Sequence, residues 1–154
     1  MNIQDMLKKE FIIEDLKSRT KKETLVELAD VFLRDDTNID RDAMIEVLLE
    51  REKLGSTGIG DGIAIPHGKL AGLEKLVVSF GRSRGGVDFD SLDGRPVHIF
   101  FLLMAPENSA GQHLKALARI SRMLKDVSFR ESLINAESSE NIYDLIVEKD
   151  GTHI

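Results

Sequence analysis

Residues 55–69 read Gly55-Ser56-Thr57-Gly58-Ile59-Gly60-Asp61-Gly62-Ile63-Ala64-Ile65-Pro66-His67-Gly68-Lys69. Glycines at 55, 58, 60 and 62 and two hydroxyls lead into a short apolar run that ends at a histidine set between proline and glycine. Glycine lets backbone N–H groups come close to a ligand and point at it. Pro66 and Gly68 keep His67 out of a helix interior, so its ring is expected at a strand end or in a loop. The Gly58-Ile59-Gly60-Asp61-Gly62 core only superficially resembles a dinucleotide fingerprint, because Gly62 comes too early and no helix follows at once. The Gly-Lys-Ser/Thr of a P-loop is missing as well. Backbone amides beside a presented imidazole suggest an anion handled next to a nucleophile. A tight loop that needs unusual backbone angles is the other reading.

On the N-terminal side, Thr20-Lys21-Lys22-Glu23 is a capping-box pattern, and Leu25, Leu28, Ala29 and Phe32 follow at helical spacing, which predicts a helix over 21–34. Asp35-Asp36-Thr37-Asn38 is turn chemistry. Asp40 then caps an expected second helix that carries Met44, Val47 and Leu48 and ends before Gly55. On the C-terminal side, 75–82 reads as a strand, Arg84-Gly85-Gly86 as a turn, Val87-Asp88-Phe89 as a short strand and Asp93-Gly94 as a second turn. Val97 to Met104 is apolar on both faces apart from His98, the pattern of a central, doubly covered strand, with Pro106 ending it. Ser109-Ala110-Gly111-Gln112 predicts a capped helix with Leu114, Leu117, Ala118, Ser121 and Leu124 on one face. Ser128 caps a short helix through Ile134. Ser138 or Ser139 caps a last one with Ile142, Leu145 and Ile146, stopped at Asp150-Gly151. Helices on either side of a run of strands, without regular βαβ alternation, predict an α/β fold of the mixed α+β kind. It has a single central mixed sheet flanked by helices on both faces, in three αβα layers.

A chain of 154 residues suits a single domain, 1–154, large enough to bury a core without staples. The absence of cysteine excludes disulfides and thiolate metal sites. A formal net charge of −6 disfavours nucleic-acid or anionic-membrane binding through a broad basic surface. No run is long enough to span a bilayer, and the N-terminus lacks a signal peptide's apolar segment, so a cytoplasmic protein is expected. No zinc spacing and no Gly-x-Ser-x-Gly elbow occur, so neither a metal nor a cofactor is expected.

Three side chains stand out. Neutral imidazole is a good nucleophile near pH 7, and His67 can attack phosphorus without a separate base. His113 falls near the start of the helix after Ser109, where partial positive charge and free N–H groups favour an anion. It reads equally as a partly buried polar residue on an amphipathic helix. Arg51 continues the Met44, Val47, Leu48 stripe toward the glycine loop. Its guanidinium either forks onto phosphate oxygens or pairs with Glu50 or Glu52 at the surface. His98 reads as a hydrogen-bonded strand residue and His153 as part of the tail.

The run Leu49–Lys69, with Arg51-Glu52, Thr57-Gly58-Ile59-Gly60 and Ala64-Ile65-Pro66-His67 at its core, closely resembles the signature of phosphotransferase-system enzyme IIA domains of the fructose/mannitol class. Phe100 to Pro106 and Gln112-His113-Leu114 are similar to later segments of that family. Within it, the chain is most like the nitrogen-regulatory IIA subgroup, which are free-standing single domains of about this length. The resemblance implies that His67 accepts a phosphoryl group from HPr or a nitrogen-branch HPr-like protein. It implies that His113 helps position that group and that Arg51 lies by the site to stabilise charge or meet the partner. Thr57, Gly58 and nearby amides are expected around the phosphoryl oxygens. An apolar patch of Ile59, Ile63, Ile65 and the loop after Met104 is expected to meet the donor. The resemblance also implies a role mainly as a phosphorylation-dependent regulator of target proteins, bearing on nitrogen, potassium or carbon use. The alternative is a sugar-uptake IIA that passes its phosphoryl group to a fructose- or mannitol-type IIB domain.

Overall fold

The computed structural model describes residues 2–36 and 38–152; Thr37 of the first expected turn and His153 lie outside them. Six strands form one mixed sheet: β1 (Ile12–Ile13), β2 (Gly58–Gly60), β3 (Ile63–Ala64), β4 (His67–Leu70), β5 (Val77–Val87) and β6 (Val97–Pro106). Five helices surround it: α1 (Lys21–Asp30), α2 (Arg41–Lys53), α3 (Gln112–Leu124), α4 (Val127–Asn135) and α5 (Ser139–Gly151). The apolar run seen in the sequence makes β6 the centre, buried along nearly all its length. It pairs antiparallel with β5 on one side and parallel with both β3 and β4 on the other. β1 extends the sheet beyond β5, and β2 pairs antiparallel with β3.

Side chains alternate across the pleat, which separates the two helical layers. Ser79 Oγ donates to the Leu28 carbonyl of α1 at 2.8 Å, and a Cβ on Gly81 would lie 2.7 Å from Leu28 Cδ2. Arg82, on the other face, donates to the Leu133, Ile134 and Ala136 carbonyls at the end of α4 at 2.9, 3.2 and 2.7 Å. The helices thus cover both faces, as expected.

Several local expectations are corrected. The first helix is α-helical only to Asp30 and tightens to a 3-10 turn over Val31–Arg34. Arg84 to Gly86 is not a turn between two strands. β5 continues through it, with its register against β6 shifting between Arg82 and Val87 where Gly86 adopts φ +83°. β6 runs two residues further than expected, and Pro106 is its last residue, where a missing N–H is tolerated. The glycine-rich stretch is not loop throughout, since it contributes β2, β3 and β4.

Gly111 caps α3 in place of Ser109, and Asp126 caps α4 in place of Ser128. Asp126 Oδ1 accepts the Ser128 and Phe129 N–H groups. The buried stripe of α3 is Ala116, Ile120, Met123 and Leu124, whereas Leu114 and Ala118 face solvent. Ser138, one of the two expected candidates, caps α5, but that helix runs through Gly151, and Asp150 is a buried acceptor for the Ile3 N–H at 2.9 Å and for Arg119. Among the described residues no helix is long and apolar enough to cross a membrane.

Candidate functional site

β3 and β4 lie end to end along one edge of β6, and the break between them holds Ile65 and Pro66. Pro66 has no N–H to offer a ladder, so pairing lapses there. The Pro66 carbonyl accepts the Leu103 N–H at 2.9 Å, and pairing resumes with His67 opposite Leu103. The Ile65 carbonyl is freed by the same break and lies 2.8 Å from His67 Nδ1. A carbonyl can only accept, so Nδ1 donates to it, and in the neutral ring it is Nε2 that keeps the lone pair. His67 is half-buried at the head of β4.

Neighbouring residues of a strand point to opposite faces, so Gly68 points away from His67. A Cβ on Gly68 would lie 2.6 Å from Val47 Cγ1, which lets α2 lie directly against β4. The His67 ring takes the opposite face, where α3 packs on β6. His113 is the second residue of α3, and Ser109 Oγ, the expected cap, lies 3.0 Å from His113 Nδ1. Burial, then the positive charge of Lys69 and that of the His67 ring whenever it is protonated, hold the His113 imidazole below the ordinary 6.5. Burial, the Lys69 ammonium and a protonated His67 ring thus all favour the neutral form of His113.

Arg51 sits in the last turn of α2, and its Nη1 donates to the Gly55 carbonyl at 2.8 Å. It pairs with neither of the two expected acids, since Glu50 takes Lys53 at 2.8 Å and the Glu52 carboxylate goes elsewhere. Glu52 is buried; it accepts the Thr57 N–H at 3.1 Å, the Thr57 hydroxyl, and the Lys21 ammonium at 3.0 Å. Sequence reasoning missed Glu52 because the charged run Glu50-Arg51-Glu52-Lys53 reads as a solvated face. The Thr57 donors expected to face phosphoryl oxygens are therefore turned to Glu52, and the Gly58 N–H donates to Ser56 Oγ at 3.0 Å. The expected apolar patch is also revised: Ile63 and Ile65 are buried, whereas Leu54, Ile59, Leu92 and Leu114 are exposed. The Leu92 N–H bonds to the Gly58 carbonyl at 3.1 Å, and Leu54 and Leu114 adjoin Gly55 and His113.

Residues 5–149 match the family model of the phosphoenolpyruvate-dependent sugar phosphotransferase system, EIIA 2. The chain belongs to this family. The IIA domain is 45% identical over 146 residues to a nitrogen regulatory protein of Bradyrhizobium diazoefficiens, covering 95% of each chain. It is 41% identical over 150 residues to the fructose-specific EIIABC component of Bacillus subtilis, covering 97% of this chain and 24% of that protein. The crystal structure of the nitrogen regulatory protein IIA-Ntr from Neisseria meningitidis superposes on the IIA domain with a TM-score of 0.86 at 37% identity, covering 94% of this chain and 98% of that one.

Proposed function

We propose that this domain is a phosphohistidine carrier that takes up a phosphoryl group on His67 Nε2 and acts mainly as a phosphorylation-dependent regulator. The observation that carries the reading is the His67 ring itself, pinned through Nδ1 to the Ile65 carbonyl with a second imidazole beside it. The donor is HPr or a nitrogen-branch HPr-like protein carrying its own phosphohistidine. The N–P bond of the donor breaks as the Nε2–P bond forms, and the bonding pair returns to the donor's ring nitrogen. His67 keeps its Nδ1 proton throughout.

The role of the surroundings is positional and electrostatic, as phosphoryl transfer demands. Before transfer, burial and the Lys69 ammonium favour the neutral form of His113. Once a phosphoryl dianion sits on His67, its charge opposes that effect and turns His113 into a stronger donor to the phosphoryl oxygens. Arg51 supplies a permanent cation at the loop by swinging from the Gly55 carbonyl toward the phosphoryl group or the partner. Thr57 and Gly58 complete the proposed site; for either to reach a phosphoryl oxygen, its bond to Glu52 or Ser56 must open. Leu54, Ile59, Leu92 and Leu114 form the apolar rim on which a donor docks through a small, transient interface.

The test is labelling by a phosphorylated donor followed by mapping of the modified residue. The wild-type domain is expected to load one phosphoryl group on His67, and His67→Ala none; a full load on His67→Ala would overturn the assignment. The match to a fructose-specific component supports a second reading, sugar uptake. Efficient onward transfer from the loaded domain to a fructose-type IIB domain would favour it over regulation.

A further inference from the structure

We infer that Glu52 is a positioning residue for phosphoryl transfer, acting on His67 through the backbones of Thr57 and Ile65; this rests on the carrier reading above. The side chain of Glu52 is only 5% exposed, yet it belongs to the last turn of a surface helix. Its two oxygens take three donors: the Thr57 N–H, the Thr57 hydroxyl and the Lys21 ammonium. A buried ion pair is a poor device for stability alone, because desolvation offsets much of the attraction.

The bonds beyond Glu52 give the arrangement a purpose. Thr57 is gripped at both its backbone polar groups: its N–H by Glu52, and its carbonyl by the Ile65 N–H at 3.1 Å. Ile65 is gripped in the same way, its N–H by Thr57 and its carbonyl by His67 Nδ1–H at 2.8 Å. Four groups in series thus connect the carboxylate to the imidazole. Ile65 and Pro66 lie in the gap between β3 and β4, where the sheet ladder does not hold the Ile65 N–H. The grip from Thr57 is what fixes the Ile65 carbonyl against the ring. That carbonyl in turn selects the tautomer whose Nε2 can attack. Lys21, the first residue of α1, closes the far end; its ammonium also stands 4.9 Å from the Phe89 ring centroid.

A purely structural carboxylate would lower the melting temperature on substitution without touching the ring. A positioning carboxylate changes the ring. Glu52→Gln keeps the shape but turns an amide N–H₂ toward Thr57 or Lys21. In ¹⁵N-labelled, unphosphorylated protein, the long-range ¹H–¹⁵N spectrum of His67 is expected to show Nδ1–H alone in the wild type and a mixture with Nε2–H in Glu52→Gln. Single-turnover phosphorylation by the phosphorylated donor is expected to fall about tenfold to a hundredfold, with donor affinity unchanged. A folded Glu52→Gln protein with the wild-type tautomer and rate would overturn the inference. Should Glu52→Gln not fold, Thr57→Val removes one of the same bonds; it is expected to move the His67 tautomer in the same direction, and a wild-type tautomer in that variant would equally overturn the inference. The tautomer is read without any phosphoryl group. A wild-type domain that fails to load on His67 therefore defeats the carrier reading separately from the positioning role.

Discussion

His67 and His98 start from the same local device and end in different surroundings. Each presents Nδ1 to a main-chain carbonyl at 2.8 Å, Ile65 for one and Ser83 for the other, so each keeps its proton on Nδ1. Each is half-buried at or near the beginning of a strand. The difference is charge and room at Nε2. His67 shares its region with His113 and Lys69, both of which can bear positive charge. His98 borders a cavity of about 280 Å³ whose lining includes Asp61 and Glu131 as well as Arg130, and its Nε2 lies 3.3 Å from where a Cβ on Gly86 would be. A phosphoryl dianion gains from the first setting and is opposed by carboxylates in the second. The contrast teaches that tautomer prepares a histidine for attack, and the neighbouring charges decide where attack is useful.

The largest effect that can break this comparison is the paired removal of the two rings. His67→Ala is expected to lose all donor-dependent labelling and His98→Ala to retain it in full, read by radiolabel incorporation; label lost from both would show that the two sites are not distinct. His113→Ala is expected next, with a single-turnover rate about a hundredfold lower and an unchanged fold by circular dichroism. A wild-type rate would deny the second imidazole any part in the difference. Gly68→Ala sharpens the packing side of the contrast: forcing Val47 off β4 is expected to cost about 1–3 kcal/mol in denaturant unfolding.

The acid limb follows from His113. Its folded pKa lies below 6.5, so the folded state binds fewer protons than the unfolded chain in the window just below that pH. The associated stability is present above 6.5 and lost as pH falls through the lowered value. His113→Gln should therefore flatten the stability profile on that side, and the His113 ring should titrate below pH 6.5 by NMR. The smallest effect concerns the approach to α3, where Ala110 and Gly111 adopt φ +52° and +86° in succession. Ala110→Gly is expected to stabilise by about 0.5–1 kcal/mol, the left-handed penalty of alanine less the added chain entropy of glycine.

Much of this was legible before any coordinates. The apolar run broken only by His98 marked β6, the caps at Thr20, Asp40 and Ser138 or Ser139 marked three helices, and the Pro66-His67-Gly68 punctuation marked the ring. The short strands β2, β3 and β4 were not legible, because segments of two to four residues carry no period. They exist only by pairing with β6 or with one another. Ser109 was misread because a hydroxyl near a helix start has more than one partner available, and here it takes His113. The face of α3 was misread because two apolar stripes at helical spacing coexist there, and only packing chooses Ala116, Ile120 and Met123 over Leu114. Glu52 was legible only as part of the family signature, and not as a buried acceptor, since burial of one acid within a charged run depends on where Lys21 and Thr57 come to rest.

One remaining feature reaches beyond the site. Asp150, in the final helical turn, receives the main-chain N–H of Ile3 across 147 positions of sequence and the guanidinium of Arg119 as well. Chain ends ordinarily fray and exchange their amide protons quickly. Here one acid ties the segment at Ile3 and the last turn of α5 to the body of the domain, so the amides of Ile3 and of that turn should exchange only when the whole domain opens.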